Sequence, residues 1–350
     1  MSRPFYSSLS ACLVLTSCYV SLAQAQITGK DVIQGMSVTP AELSQLESGT
    51  VLTFSDEAYE TSKRELSADA MILVESDLDA VYKAIVEEPT LVPGNLVIDQ
   101  SMIESEADFA GVEYTDAEYD EVKKLLSAKP GKDLNFSDAE YALLQQKLGP
   151  HRRSSPADQI AAASEAMREI LIGRYKAYQG GGLDGIEAYS RSRKKKIDIG
   201  RELRFSTETF KPFEGDFPEF YKVMHDYPAG ADCCTHYFRW LKVKIRKRPT
   251  FALSHTMVQR TDDFILATER YYFASSTLNS LQVTLSWLKY DDDTYMGLAM
   301  AASTDLLDSM MGRILRPIGR NKAKDMVSDI MHKVQADLEG GGDSSDAATE

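Results

Sequence analysis

Apolar residues recur along the chain with two different periods, and the periods divide it. From His236 onward the spacing is two: Leu241, Val243 and Ile245 alternate with Lys242, Lys244 and Arg246, as in a strand with one face toward a core. His236–Ile245, Thr250–Arg260, Phe264–Ala274, Asn279–Tyr290 and Thr294–Ala302 are predicted as five successive strands. Arg248-Pro249, Thr261-Asp262-Asp263 and Asp291-Asp292-Asp293 supply the turns between them, so each strand is expected to pair with the next in a meander. The period then returns to that of a helix over Arg320–Leu338, with Ala323, Met326, Val327, Ile330, Val334 and Leu338 on one stripe.

Upstream, helical spacing dominates. Capping signals, in which a Ser, Thr or Asp satisfies exposed N–H groups and an acid follows three residues later, open helices at Thr39, Ser76-Asp77, Thr115 and Ser137. Leu78, Val81 and Tyr82 line one face of the second. Thr50–Phe54 and Leu66–Val74 read as strands, the latter running straight into that helix. Ala157–Gln179 is one long helix of about 23 residues, stopped by Gly180-Gly181-Gly182. The triple glycine lacks the Gly-Lys-Ser/Thr ending of a phosphate loop and reads as a terminator and hinge. Pro218–Tyr227 is a further short helix.

Charge sharpens the division. Residues 26–150 carry a net charge of -16 and residues 151–350 of +1, so that with Arg3 the chain totals -14. An acidic half disfavours nucleic acid and anionic lipid surfaces as its partners. Basic clusters at Arg191–Lys196 and Lys242–Arg248 read as solvated surface, the first in a loop and the second on an outward strand face; converging, they would suit phosphate headgroups or the acidic half of another copy.

The first 25 residues read as an address. Arg3 precedes a mostly apolar stretch from Leu9 to Ala23, and Ala23-Gln24-Ala25 is a small-x-small cleavage signal. Leu15-Thr16-Ser17-Cys18 resembles a bacterial lipobox, in which case Cys18 would be lipidated and the protein tethered to a membrane. Either reading implies export, with the periplasm as the expected compartment. Cys233 and Cys234 then stand adjacent, open to a strained vicinal disulfide, to pairing with another chain, or to a buried thiol beside an exposed one.

The residues from Ala68 to Tyr82, strand then capped helix, and those from Arg320 to Val327 resemble the opening and the final helix of the START and polyketide-cyclase superfamily. Arg248–His255 and Tyr271–Ser275 also look like segments of exported bacterial proteins. The resemblance implies an α+β helix-grip architecture: a curved antiparallel sheet gripping a C-terminal amphipathic helix, with an apolar cavity between them. Its expected layout is a leader (1–25), a first part of the START-like domain (26–99), a largely helical insertion (100–230), the sheet with its closing helix (231–339) and a disordered tail (340–350). It implies a lipid or other hydrophobic small molecule as partner.

Candidate chemistry is sparse. Five histidines show no metal-ligand spacing, and no nucleophile elbow, dinucleotide fingerprint or kinase set occurs, so neither a metal nor a cofactor is implied. His255 sits mid-strand with Phe251, Leu253 and Met257 on its face, either as a cavity group able to act as a base or as a hydrogen-bonded core histidine. Glu269 shares its face with Ile265, Ala267, Tyr271 and Phe273, so it is expected to be paired, with His255 or Arg239, or to lie near the strand end in water. Asn279, Gln282 and Trp287 complete the expected cavity wall, with Met296, Met300, Met310 and Met311 as adaptable apolar surface. Three functions follow as expectations. The first is an exported, non-catalytic carrier of an apolar molecule. The second is a cyclase- or isomerase-like enzyme using His255 and Glu269 as acid and base. The third is an envelope interaction protein docking through its acidic helical region.

Overall fold

The computed structural model describes residues 27–35, 38–54, 62–87, 96–208, 211–308 and 312–339; the expected leader with Cys12 and Cys18, the residues after 339, and Met310 and Met311 lie outside them. The fold is α+β. Its centre is an eight-stranded antiparallel sheet. In chain order the strands are β1 (Leu52–Phe54), β2 (Glu65–Val74), β3 (Val97–Met102), a two-residue pair β4 (Tyr189–Ser190) and β5 (Lys196–Ile197) outside the main sheet, then β6 (Thr235–Ile245), β7 (Arg248–Arg260), β8 (Phe264–Ala274), β9 (Ser280–Tyr290) and β10 (Asp293–Ser303). The main sheet runs β1-β2-β10-β9-β8-β7-β6-β3. The meander forms from β6 to β10, and the long early strand β2 closes on the last one, with Leu73 opposite Tyr295 and Ala68 opposite Met300. β3 pairs with β6 and forms the far edge.

The helices are α1 (Gly29–Gly35), α2 (Pro40–Glu47), α3 (Leu78–Glu87), α4 (Tyr119–Leu126), α5 (Asp138–Leu148), α6 (Pro156–Gly181), α7 (Ile199–Glu208), α8 (Lys211–Asp216), α9 (Pro218–Asp226) and α10 (Gly312–Glu339). Their starts follow from capping. Ser137 Oγ accepts the Glu140 amide while the Glu140 carboxylate takes the Ser137 N–H at 2.7 Å, and Asp77 accepts the Ala80 amide at 2.8 Å. Such caps contribute about 1 kcal/mol each. α10 begins two turns before the expected Arg320, because Pro317 sits inside it rather than ending it.

Helices cover both faces of the sheet. On one face Ala70, Ile72, Leu298, Met300, Val283, Leu285, Ala267 and Leu241 form an apolar floor under α10 and α3, which contribute Val327, Ile330, Met331, Leu78 and Val81. Each fully buried aliphatic side chain there stabilises by about 1.5–3 kcal/mol. On the other face, Trp240, Phe251, Leu253, Tyr272 and Phe273 pack under α4, α5 and α6. Farther along the same face Met257, Leu266, Leu288 and Tyr295 meet Phe217, Phe220, Val223 and Met224 of α9 and its approach. A register shift at Leu253/Ser254 marks a bulge in β8. The extra residue places Tyr271 on the α10 face and both Tyr272 and Phe273 on the opposite one, so Phe273 does not share the Glu269 face as the alternation predicts.

The basic cluster on β6 and β7 corrects a second expectation. Lys242 is buried, donating to Glu118 at 2.8 Å with its ammonium over the Phe251 ring. Arg248 pairs with Glu121 at 2.8 Å. At these two positions the helical layer covers the side chains and supplies the acids, whereas Lys244, Arg246 and Lys247 are exposed as expected.

Candidate functional site

The α10-side floor carries polar residues near its middle. Antiparallel partners share a face, which places Arg239, Ser254 and Tyr271 in one cross-strand row and Tyr237, Thr256 and Glu269 in the next. Arg239 reaches the edge strand, donating to Gln100 Oε1 at 3.1 Å and to Met102 Sδ at 3.0 Å. Trp287, opposite Ile265 and Met296, stands at the other end of this floor. Ser254 Oγ and Trp287 Nε1 are buried without a hydrogen-bond partner. An unsatisfied buried donor costs about 1–3 kcal/mol, so each invites a partner from outside the chain.

This floor is closed. Ser254, Glu269, Tyr271 and Trp287 are each 2 % exposed or less, whereas a side chain beside a water-sized void would show surface. The expected open cavity is therefore filled beneath α3 and α10 at these residues. The perimeter is looser: Tyr82, Val97, Tyr237 and Ile245, together with Met326, Val334 and Leu338 of α10, pack against the same layer while only partly buried.

The opposite face holds a chain of hydrogen bonds whose direction can be worked out. His236 Nε2 lies 2.8 Å from the Ala231 carbonyl, which only accepts, so Nε2 bears the proton. In the neutral ring Nδ1 is then an acceptor, and His255 Nε2 donates to it at 2.8 Å. His255 Nδ1 in turn accepts from Tyr178 Oη at 2.9 Å. Arg270 donates to the same phenol oxygen at 3.4 Å, to Gln282 Oε1 at 3.1 Å, to Thr207 Oγ1 at 3.4 Å and to the Met224 carbonyl at 2.5 Å. Burial, followed by the neighbouring His236 and Arg270, holds His255 well below its ordinary value. The ring is stacked on Phe238 at 4.3 Å, and Tyr178 stacks on Tyr272 at 3.9 Å. Arg270 is fully buried, and among the described residues its hydrogen-bond partners are all neutral.

The six residues expected to share a cavity do not converge. Glu269, Tyr271 and Trp287 lie on the α10 face. His255 pairs with Arg270 and Arg270 with Gln282, all on the opposite face. Asn279 joins neither set, because its carbonyl accepts from Tyr189 and its side-chain oxygen from Arg191, at the end of β9. An acid–base pair of His255 and Glu269 is thus separated by the sheet itself, which removes the arrangement the enzyme reading needs. Arg239, the other expected partner of Glu269, does share its face.

Tyr178, His236 and Arg270 went unrecognised as members of a polar network, and Ser254 as an unsatisfied polar group of the floor. Arg270, charged within an apolar strand, was the available signal; Tyr178 is indistinguishable by spacing from the core stripe of α6. The Cys233 and Cys234 thiols are free, with sulfurs 2.7 Å apart. Among the described residues no group of three His, Cys, Asp or Glu side chains is placed to hold a metal ion. Among them no helix is long and apolar enough to cross a membrane. No family model, no curated protein and no solved structure matches the chain.

Proposed function

We propose that this protein is an exported, non-catalytic binder of a lipid or other apolar molecule, received between the α10 face of the sheet and the helices α3 and α10. The observation that carries the reading is the pair of buried groups without partners, Ser254 Oγ and Trp287 Nε1, set in a floor that is apolar outside the rows through Arg239 and Glu269. They are six residues apart in strand register, roughly 20 Å along the strand direction at about 3.4 Å per residue. That span suits an elongated ligand with hydrogen-bonding capacity. The strand order, in which the first long strand pairs with the last and a closing helix lies along it, is consistent with the helix-grip arrangement. Because the floor is closed, binding requires α10 or α3 to move away from it, starting at the half-buried perimeter.

The docking reading through the acidic region is less well supported. Glu118, Glu121, Asp138 and Glu140 already face cations of the same chain, namely Lys242, Arg248, Lys196 and Arg174.

Intrinsic fluorescence tests the proposal, since Trp240 and Trp287 are the two tryptophans. In a Trp240→Phe variant, Trp287 is the sole reporter, and brominated acyl lipids are expected to quench it saturably. Native mass spectrometry of protein purified without delipidation should show a bound apolar species removed by solvent extraction. No quenching and no bound species would overturn the reading.

A further inference from the structure

The turn from α9 into β6 holds a feature the floor does not explain. Adjacent residues in a strand point to opposite sides. Cys233 instead ends a 3-10 turn, Ala231–Cys233, while Cys234 is already extended at φ -134° and ψ 156°. This change of backbone conformation brings both sulfurs to the same side, 2.7 Å apart. Both cysteines are half-buried, packed against the layer that includes Phe217 and Phe220. They are shielded but reachable.

We propose that Cys233 and Cys234 are a reversible redox site that closes to a vicinal disulfide by exchange with an external low-molecular-weight or protein disulfide. One thiolate attacks a sulfur of the donor, forming a mixed disulfide and expelling one donor thiolate. The neighbouring thiolate then attacks the protein sulfur of that mixed disulfide and expels the second. Two protein S–H bonds are lost, one S–S bond forms, and the donor leaves as two thiols. Consecutive Cα atoms lie only about 3.8 Å apart, short of the roughly 4.4–6.8 Å usual for a disulfide. The closed ring is therefore strained and readily reduced, which fits a switch rather than a staple.

Closure reaches further than the two sulfurs. The Ala231 carbonyl accepts both the Cys234 amide at 3.1 Å and His236 Nε2–H at 2.8 Å. Drawing Cys234 toward Cys233 acts on the carbonyl that ends the His236–His255–Tyr178 chain.

The test treats the full chain with oxidised glutathione, quenches with acid, alkylates, and follows the tryptic peptide Val223–Arg239 by mass. Both alkylation sites are expected to vanish together, with loss of two hydrogens and recovery on adding reduced dithiol. Cys233→Ser and Cys234→Ser should each instead hold a stable glutathione adduct on the remaining cysteine. A lasting mixed adduct in the wild type, a covalent dimer through this peptide, or two thiols that stay alkylatable would overturn the proposal. The His236 ring resonances are expected to shift on oxidation in the wild type and not in Cys234→Ser; unmoved resonances would overturn the coupling.

Discussion

Tyr178 Oη donates to His255 Nδ1 at 2.9 Å, on the far side of the imidazole from His236. The bond makes His255 a neutral link between a buried phenol and a half-buried second histidine. Tyr178→Phe leaves His255 Nδ1 without a donor, and is expected to cost about 1–3 kcal/mol in urea denaturation.

The same residue sets a pH dependence. The folded value of His255 lies well below 6.5, so below pH 6.5 the unfolded chain binds more protons than the folded one. His255 therefore contributes stability that is present above 6.5 and lost as the pH falls beneath it. Denaturation midpoints between pH 7 and pH 5 should fall in the wild type and fall less in His255→Gln.

Asp69 acts in the opposite sense. Burial in β2 pushes its carboxyl up from 3.8 to about 6. Its contribution is favourable below 3.8 and is lost as the pH rises through about 6. Asp69→Asn should thus stabilise the protein at pH 7, by about 1–3 kcal/mol, and gain little at pH 4. Equal effects at both values would contradict the assignment.

Gly182 caps α6 at φ +53°, and a Cβ there would lie 1.6 Å from the Tyr227 carbonyl oxygen. Gly182→Ala is expected to cost at least about 2 kcal/mol. Gly180→Ala, with nothing within 4 Å of its Cβ, should be neutral or stabilising by up to about 1 kcal/mol. Thermal melts of the two variants distinguish a required backbone conformation from a merely flexible glycine run.

Arg174 grips Glu140 through two hydrogen bonds of 2.6 and 2.7 Å, both groups being buried, and adds a third to the Glu187 carbonyl at 2.6 Å. Arg174→Ala should cost about 3–5 kcal/mol because it strands a buried carboxylate. The double variant Arg174→Met with Glu140→Leu should cost less than the sum of its parts in a mutant cycle.

Much of this architecture was legible in the chain. The alternation through Leu241, Val243 and Ile245 and the turns after it locate the meander, and the caps at Ser137 and Asp77 locate two helices. β3 was missed because Val97-Ile98-Asp99-Gln100-Ser101-Met102 is an edge strand with exposed polar positions and no sustained alternation. α7 was missed although Asp198 caps it, accepting the Arg201 amide at 2.9 Å, because no acid stands three residues after that cap. The relative faces of His255 and Glu269 depend on the register across a hairpin, which spacing within one strand does not reveal. The closed floor was illegible for a similar reason, since occupancy of that space depends on how helices distant in sequence settle on the sheet.

β3 and β6 are antiparallel neighbours, with Met102 opposite Arg239 and the Ile103 amide bonded to the Phe238 carbonyl, so residues 104–234 form in effect one enormous hairpin loop. Both ends of that loop leave the sheet side by side, and a short turn could rejoin them without altering the ladder. Yet excision would strip Phe251, Leu253, Tyr272 and Phe273 of their cover and deprive Lys242 and Arg248 of their counter-charges. The trimmed chain would be a plate with one greasy side bare, expected to stack upon its own kind rather than survive as a minimal version of the protein.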